Sequence, residues 1–437
     1  AAMHKGSTPL IQNAGATGVR YTVMQTGGTN QIKGGGPTFA LGEMIVLDAA
    51  GDTISYTVTS NADHNTMGGA GSDGAGMPAL NDGDISTYFH STWSAQAPNE
   101  YHYIELTFEK TIDAFQLVWY TRPTNANNRP LVIGLTNPGV TFTEDMLYAE
   151  YEFSLGEKAT ADDIAAGGAF SFYVEGPAEY GDTEGNGNVF VSLSGYSTGS
   201  NAVASPTTMV QLIPGKDGKF ILYQPVLDTY YGNPDRWQDG YNGSNGWLRA
   251  YSEGWTLGMF EITPVANGDF EITTYVTRQW KDNAWINYDA PLKVWVGYDM
   301  RGSLKIFPES EKNLLVAGDY ESGAFHLPVD FSFTIYKANV NKELVPPITG
   351  AQLCADVLTK TIETANAKSE EYAEYADYDA DFGYLTLLAT EISEAEAAIA
   401  AEDVAGAFEA KAELEAAYAC VASLKAYYYA ELTEEFY

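Results

Sequence analysis

The chain has 437 residues, 45% of them apolar, with 43 Gly, 30 Tyr, 8 Trp and a formal charge of -35. At roughly 150 residues per domain that length implies about three domains, and the apolar share suffices for buried cores, which excludes a globally disordered chain. Nucleic acid is excluded as a partner because only 23 basic residues are spread over the chain and phosphate binding needs them clustered; no apolar run approaches the roughly 20 residues that span a bilayer.

The first residues, Ala1-Ala2-Met3-His4-Lys5-Gly6, carry no signal-like apolar region and no starting Met. They read as a mature or trimmed exported protein, extracellular or at the cell surface. Residues 1–50 are Gly-rich, with strand-like runs at Val19–Met24 and Met44–Leu47. This β segment is a small module of its own or the N-terminal part of the next domain. From 51 to about 345 the texture is β. Ile54–Thr59, Tyr103–Phe108, Phe115–Tyr120, Phe260–Thr263 and Phe331–Tyr336 alternate with period two between Gly, Asn and Asp clusters, as short strands of sandwiches or barrels do. A boundary at Ala165-Ala166-Gly167-Gly168 splits the stretch into residues 51–167 and a second β-rich module, 168–345. Two strand-like runs, Gly254–Ile262 and Val329–Tyr336, echo each other, which is too little for a repeat fold.

After Pro346-Pro347, residues 346–437 are rich in Ala and Glu. Their spacing predicts three helices near 350–376, 383–400 and 404–434, with Leu385, Leu388, Ile392 and Ile399 on one stripe. Short loops predict antiparallel packing, a three-helix bundle serving as a spacer or stalk. From residue 350 onward there are 19 acidic and 4 basic side chains. The two cysteines, Cys354 and Cys420, lie in this region; one disulfide between helices and two free thiols are both open readings.

The most specific segment is Ala79-Leu80-Asn81-Asp82-Gly83-Asp84-Ile85-Ser86-Thr87-Tyr88-Phe89-His90-Ser91-Thr92-Trp93. Two carboxylates flank a tight turn and repel each other unless a cation or donors sit nearby. Hard Ca²⁺ accepts such oxygens; a polar turn whose Asp side chains satisfy their own backbone is the plainer alternative. Together with Tyr103–Phe108 and Phe115–Arg122, this segment resembles the discoidin family (coagulation-factor type C domains, with many carbohydrate-binding modules), over about 80 residues. The resemblance implies an eight-stranded jelly-roll sandwich with a structural Ca²⁺. Carried over by position, the ligands are the backbone of Ala79, the side chain of Asp82, the backbone of Asp84, and Thr87. The family closes its site with an Ala-Glu pair, matched here by Ala149-Glu150, which lies earlier than the family position.

Family sugar sites use an aromatic platform with His, Arg or Asn on loops at one end of the sandwich. The candidates here are His64, Trp93, His102, Tyr120, Arg122, Asn128 and Arg129. Arg122 with Asn128 is the leading pair, Trp93 and Trp119 read first as core rings, and His90 as packing at the turn. In the second module the loop Tyr230–Trp247 mixes aromatics with Asn, Asp and Gly, which suits ring stacking plus hydroxyl recognition. Trp237, Tyr241 and Trp247 are its glycan candidates, against a loop packed by its own aromatics. Asn242-Gly243-Ser244 also matches the N-glycosylation acceptor pattern.

No phosphate loop, zinc-spaced His pair or Gly-x-Ser-x-Gly elbow occurs. A glycosidase needs only two carboxylates, and Asp235 and Asp239 around Trp237 are the first pair to consider. Asp182–Gly187 opens like a Ca²⁺ loop but lacks the closing Glu, with Leu193 in its place. These features predict a non-catalytic surface or secreted protein that retains poly- or oligosaccharide. The alternatives are an adhesin or structural subunit that binds other surface proteins, and a glycoside hydrolase.

Overall fold

The computed structural model describes residues 5–27, 37–67, 73–93, 96–122, 128–141, 147–175, 189–193, 198–201, 203–233, 236–238, 248–251, 256–298, 304–309, 312–315, 327–328 and 331–434. Tyr241, Trp247, Asp235, Asp239 and the 182–187 and 242–244 motifs lie outside these residues, as does the side chain of Trp237.

The first sheet has eight strands: β1 (Lys5–Ser7), β2 (Ile11–Thr26), β3 (Ala40–Asp48), β4 (Tyr56–Ser60), β5 (Phe89–His90), β6 (Tyr103–Thr121), β7 (Pro130–Thr136) and β8 (Leu147–Ala149). Their order is β5-β3-β6-β2-β7-β8, with β1 and β4 also paired to β6. All these pairs are antiparallel. The N-terminal segment therefore belongs to this sheet, and β2 lies inside it. The long β6 is the spine. Its first half pairs with β4 and the second half of β2, and its second half pairs with β3, β1 and the start of β2. Register shifts bend β2 between Gln12 and Gly18, as β-bulges do. Beneath lies a core that includes Tyr21, Phe39, Leu41, Phe89, Leu106, Leu117 and Trp119.

A ten-stranded sheet comes next in the chain. It holds β9 (Ser154–Lys158), β10 (Gly168–Val174), β11 (Val189–Leu193), β12 (Thr198–Asn201), β13 (Met209–Pro214), β14 (Phe220–Gln224), β15 (Thr229–Asn233), β17 (Arg249–Ala250), β18 (Thr256–Leu257) and β25 (Thr334–Asn339). A third sheet comprises β16 (Arg236–Gln238), β19 (Glu261–Pro264), β20 (Phe270–Lys281), β21 (Ala284–Tyr298) and β22 (Leu304–Pro308), and β23 (Lys312–Leu315) pairs with β24 (Leu327–Pro328). Residues of the ten-stranded and third sheets share one core, Phe172, Val210, Leu212 and Leu222 with Phe270, Val276, Val296 and Ile306, giving a sandwich-like arrangement.

Three long helices close the chain: α3 (Gly350–Glu371), α5 (Tyr384–Ala400) and α6 (Val404–Glu434), with the short α1 (His64–Met67), α2 (Ala161–Ala166) and α4 (Ala376–Asp379) elsewhere. Thr349 and Gln352 form a capping box that starts α3, two residues after Pro346-Pro347 breaks the β texture. Asp379 starts α5, its carboxylate accepting from the N–H groups of Tyr384 and Leu385 at 2.9 Å each. The helices do not stand apart as a stalk. Ile213, Ile221 and Leu257 of the second sheet share a core with Leu353, Leu358, Leu388, Leu414 and Val421. Phe408 sits edge-on between Tyr230 and Tyr251, with centroids 5.2 and 5.3 Å away. This explains why β13 and β14 are apolar at consecutive positions: Leu212 and Leu222 face the sandwich interior while Ile213 and Ile221 face the helices, so both faces of these strands are covered. Cys354 and Cys420 are free thiols. Among the described residues no helix is long and apolar enough to cross a membrane.

The first sheet meets the second module through a smaller apolar cluster of Leu131, Tyr151, Met209, Val226, Leu227, Ala338 and Val345. At its edge the buried Arg129 donates to the Val226 carbonyl and pairs with Glu150.

Candidate ligand-binding site

The loops beside β5 gather a set of polar and aromatic side chains at one end of the first sheet. Asn65 in α1 holds Asp73 and Gly74 with both ends of its amide: its Oδ1 accepts from the Asp73 N–H at 3.1 Å, and its NH₂ group donates to the Gly74 carbonyl at 3.2 Å. Gly74 has φ +80°, and a Cβ there would lie 2.3 Å from the Tyr88 carbonyl, so only Gly fits. These contacts fix Asp73. Its carboxylate accepts from the Tyr88 hydroxyl at 2.7 Å and from the Trp93 indole N–H at 3.3 Å. Burial works to raise the Asp73 pKa, but the Tyr88 hydrogen bond, the His90 ring 3.7 Å away in its charged form, the Trp93 hydrogen bond and the Arg122 charge outweigh it, and the net shift is downward. Asp73 is therefore an anion.

Trp93 is 54% exposed. Its ring stacks on the fully buried His64, with centroids 4.8 Å apart and planes 18° apart. The His64 Nδ1 is buried with no hydrogen-bond partner among the described residues. The Arg122 guanidinium lies 4.3 Å over the Tyr88 ring, and its buried Nε also has no hydrogen-bond partner among the described residues. Asn128 reaches His90 Nε2 at 2.6 Å, while His90 Nδ1 lies 2.5 Å from the Ser91 carbonyl. The carbonyl can only accept, so Nδ1 carries the proton and Nε2 accepts from the Asn128 amide. Burial lowers the His90 pKa, which agrees with a neutral ring.

Four of the sequence candidates, His64, Trp93, Arg122 and Asn128, thus meet in one place. Trp119 is core, whereas Trp93 is an open platform. Three others lie elsewhere. His102 is fully buried, 3.0 Å from the Ser91 hydroxyl, and desolvation holds its pKa down at about 4. Arg129 is buried at the junction with the second module. Tyr120 is half-buried in β6, with the Lys5 ammonium 5.9 Å from its ring centroid. Asp73 belongs to the site although no motif marks it, and Tyr88 belongs to it as a member of the Ala79–Trp93 segment that was not among the candidates.

The Asp82–Thr87 turn is adjacent. Its carboxylates make the local bonds of a polar turn: Asp82 accepts from the Asp84 N–H at 2.8 Å, and Asp84 from the Ser86 N–H at 2.9 Å. The Thr87 hydroxyl lies 2.6 Å from Asp82 Oδ2 and 2.9 Å from the Asp84 carbonyl, so three oxygens already converge. Ala79 is buried in the preceding 3₁₀ turn. Glu150, paired with Arg129, is not the acid that faces this turn; Glu43 of β3 is. The Glu43 carboxylate is buried, accepts from the Gly83 N–H, and has its pKa raised to about 7 by burial and then by the Asp82 charge. Its Oε2 has no hydrogen-bond partner among the described residues. A Cβ on the neighbouring Gly42 would lie 2.9 Å from the Ile85 carbonyl and 3.2 Å from that of Thr121. The turn, β3 and the end of β6 that carries Arg122 are thus in backbone contact. Glu43, Asp82 and the Thr87 hydroxyl form an oxygen-rich set with an unmet acceptor, chemistry that fits a hard divalent cation.

A different acidic group, Glu391, Glu394 and Glu413, lies in the helical region and is largely solvent-facing. Compared with models of known protein families and with curated protein sequences, the chain matches none.

Proposed function

We propose that this chain is a non-catalytic, extracytoplasmic glycan-binding protein: a discoidin-like jelly roll, a second β-sandwich and a C-terminal three-helix bundle. The observation that carries the reading is the Trp93 platform. An exposed indole is braced by buried His64 and rimmed by ionised Asp73, Arg122 and Asn128. A sugar ring lays its C–H face on such an indole, while carboxylate, guanidinium and amide bond its hydroxyls. Ca²⁺ is proposed as a structural ion held by Asp82, Thr87, the Asp84 and Ala79 backbone and, in place of Glu150, Glu43. Bound there, it would neutralise the facing carboxylates and tie the turn that precedes Tyr88 to β3.

A glycan array probed with the whole chain, followed by calorimetry on the strongest hit, tests the reading. Trp93→Ala and Arg122→Ala are each expected to weaken binding at least about tenfold, as truncation of a central anchor does. Failure to bind any glycan, or full affinity in Trp93→Ala, would refute it. Capture of protein partners alone would favour the adhesin reading instead.

A further inference from the structure

We propose that the distal half of the β20–β21 hairpin is a second saccharide-binding face, selective for anionic glycans that carry uronate carboxylates or sulfates. It lies on a different module from the Trp93 platform and does not depend on it.

The hairpin outgrows its sandwich. Its base is core, with Val276, Val294 and Val296 buried, whereas Ala284 to Asn287 are all exposed. β22 pairs only with Val294–Tyr298 of β21. A free two-stranded ribbon is marginal in water, and here a third strand supports it. β16 runs parallel to β20, with Arg236 opposite Arg278, Trp237 opposite Gln279 and Gln238 opposite Trp280. Across the hairpin, Arg278 pairs with Asn287, Gln279 with Ile286 and Trp280 with Trp285.

These registers sort the residues. Positions in one row of a sheet share a face, as do positions two apart along a strand. The rows Gln238–Trp280–Trp285 and Arg236–Arg278–Asn287 therefore fall on one face. Arg278, Trp285 and Asn287 come together there, with Arg236, Gln238 and Trp280 at the adjoining register positions. The Tyr288 hydroxyl donates to Gln279 at 3.2 Å on the opposite face. Within the first face, the Arg278 guanidinium lies 4.4 Å over the Trp285 ring, and Trp285 is 39% exposed.

The chemistry points to an anionic sugar. An exposed indole offers a flat apolar face to sugar C–H groups. A guanidinium stacked on an aromatic ring still presents its N–H fork at the edge, which matches a carboxylate or sulfate bidentately. The chain has 58 acidic and 23 basic residues, yet neither row holds an acid. Asp282 lies in the turn, and Asp289, two positions beyond Asn287, follows on the same face at the end away from Trp285. The overall negative charge opposes such a ligand only weakly, because charges beyond about 8 Å are screened at physiological salt. Two Arg positions are few for a nucleic acid, which needs many phosphate contacts.

The test is calorimetry of the whole chain with four probes: polygalacturonate for the carboxylate source, dextran sulfate for the sulfate source, unmodified dextran, and an oligothymidylate. At least one of the two anionic polysaccharides should bind, more weakly as salt is raised. Trp285→Ala and Arg278→Gln should each lower that affinity at least about tenfold, with Arg278→Lys falling between. The titrations are repeated in a Trp93→Ala background, which removes the first site, so that the binding read there reports the hairpin face alone. Both hairpin side chains reach solvent, so melting temperatures of these variants should match the parent. Binding of neither anionic polysaccharide, undiminished binding in Trp285→Ala and Arg278→Gln, equal binding of plain dextran, or tighter binding of the oligothymidylate would each overturn the proposal.

Discussion

Two buried titratable side chains of the N-terminal β module pull stability in opposite directions. Glu43 has its pKa raised to about 7, and His102 has its pKa lowered to about 4. For Glu43 in chelator, the unfolded chain ionises near pH 4.5 while the folded one resists. Stability therefore falls as pH rises from about 4.5 to about 7. For His102, the unfolded chain is protonated below about pH 6.5 while the folded ring stays neutral. Stability therefore falls as pH drops from about 6.5 to about 4. Each shift is worth up to about 3 kcal/mol, so these two contributions largely offset each other between these limits. Glu43→Gln should expose the His102 acid slope, and His102→Gln the opposite slope, in urea titrations at stepped pH with chelator present. Parallel profiles for parent and variants would contradict the assignment. The same titrations in excess Ca²⁺ near pH 7.5 test the ion. The parent should gain about 2–3 kcal/mol at a hundredfold excess over the dissociation constant, and Glu43→Gln should gain little.

At the scale of elements, Arg129 shows how a candidate binder becomes a structural part. It stands between β7 and the second module, bonded to Val226 and paired with Glu150. Arg129→Met would remove the guanidinium that pairs with Glu150 and the donor to the Val226 carbonyl, at a cost of about 3–5 kcal/mol. Adding Glu150→Gln should recover part of that loss, as read from urea midpoints; a neutral Arg129→Met would contradict the role. Neighbouring elements differ in how far local pattern reveals them. The helices are legible within a few residues, because Pro346-Pro347 and the Ala/Glu texture set off a 3.6-residue period. Tyr103–Phe108 and Phe115–Tyr120 are legible as alternating runs but form one strand, since the polar Glu109-Lys110-Thr111 stretch lies on an exposed part of β6. β13 and β14 are not legible, because strands buried on both faces do not alternate. Within the site, Trp93 and Arg122 carry composition signals. Asp73 and Glu43 do not, because the first is placed by the Asn65 bonds and the second by the position of β3 against the turn, and neither contact is local in sequence.

At the scale of the whole molecule, the helical region completes the second module instead of trailing from it. Ile213, Ile221 and Leu257 would face water without α3, α5 and α6, and Tyr223, Tyr230 and Tyr251 pack against the same helical core. The high negative charge of the last hundred residues must then sit on the outer helix faces. Their inner faces are committed to the sheet, as fully buried Leu353, Leu414 and Val421 require. Two units that share one apolar core unfold together. Phe408→Ala removes the ring lodged between Tyr230 and Tyr251 and should cost about 2–4 kcal/mol. The diagnostic readout is native-state hydrogen exchange. Phe408→Ala should lower protection in β14 and β15 by as much as in α6, while β2 and β6 of the first sheet keep theirs. Loss confined to the helices would mean that they behave as an independent stalk. Equal loss in all three regions would mean that the first sheet, joined through Arg129 and the Leu131–Val226 cluster, belongs to the same cooperative unit.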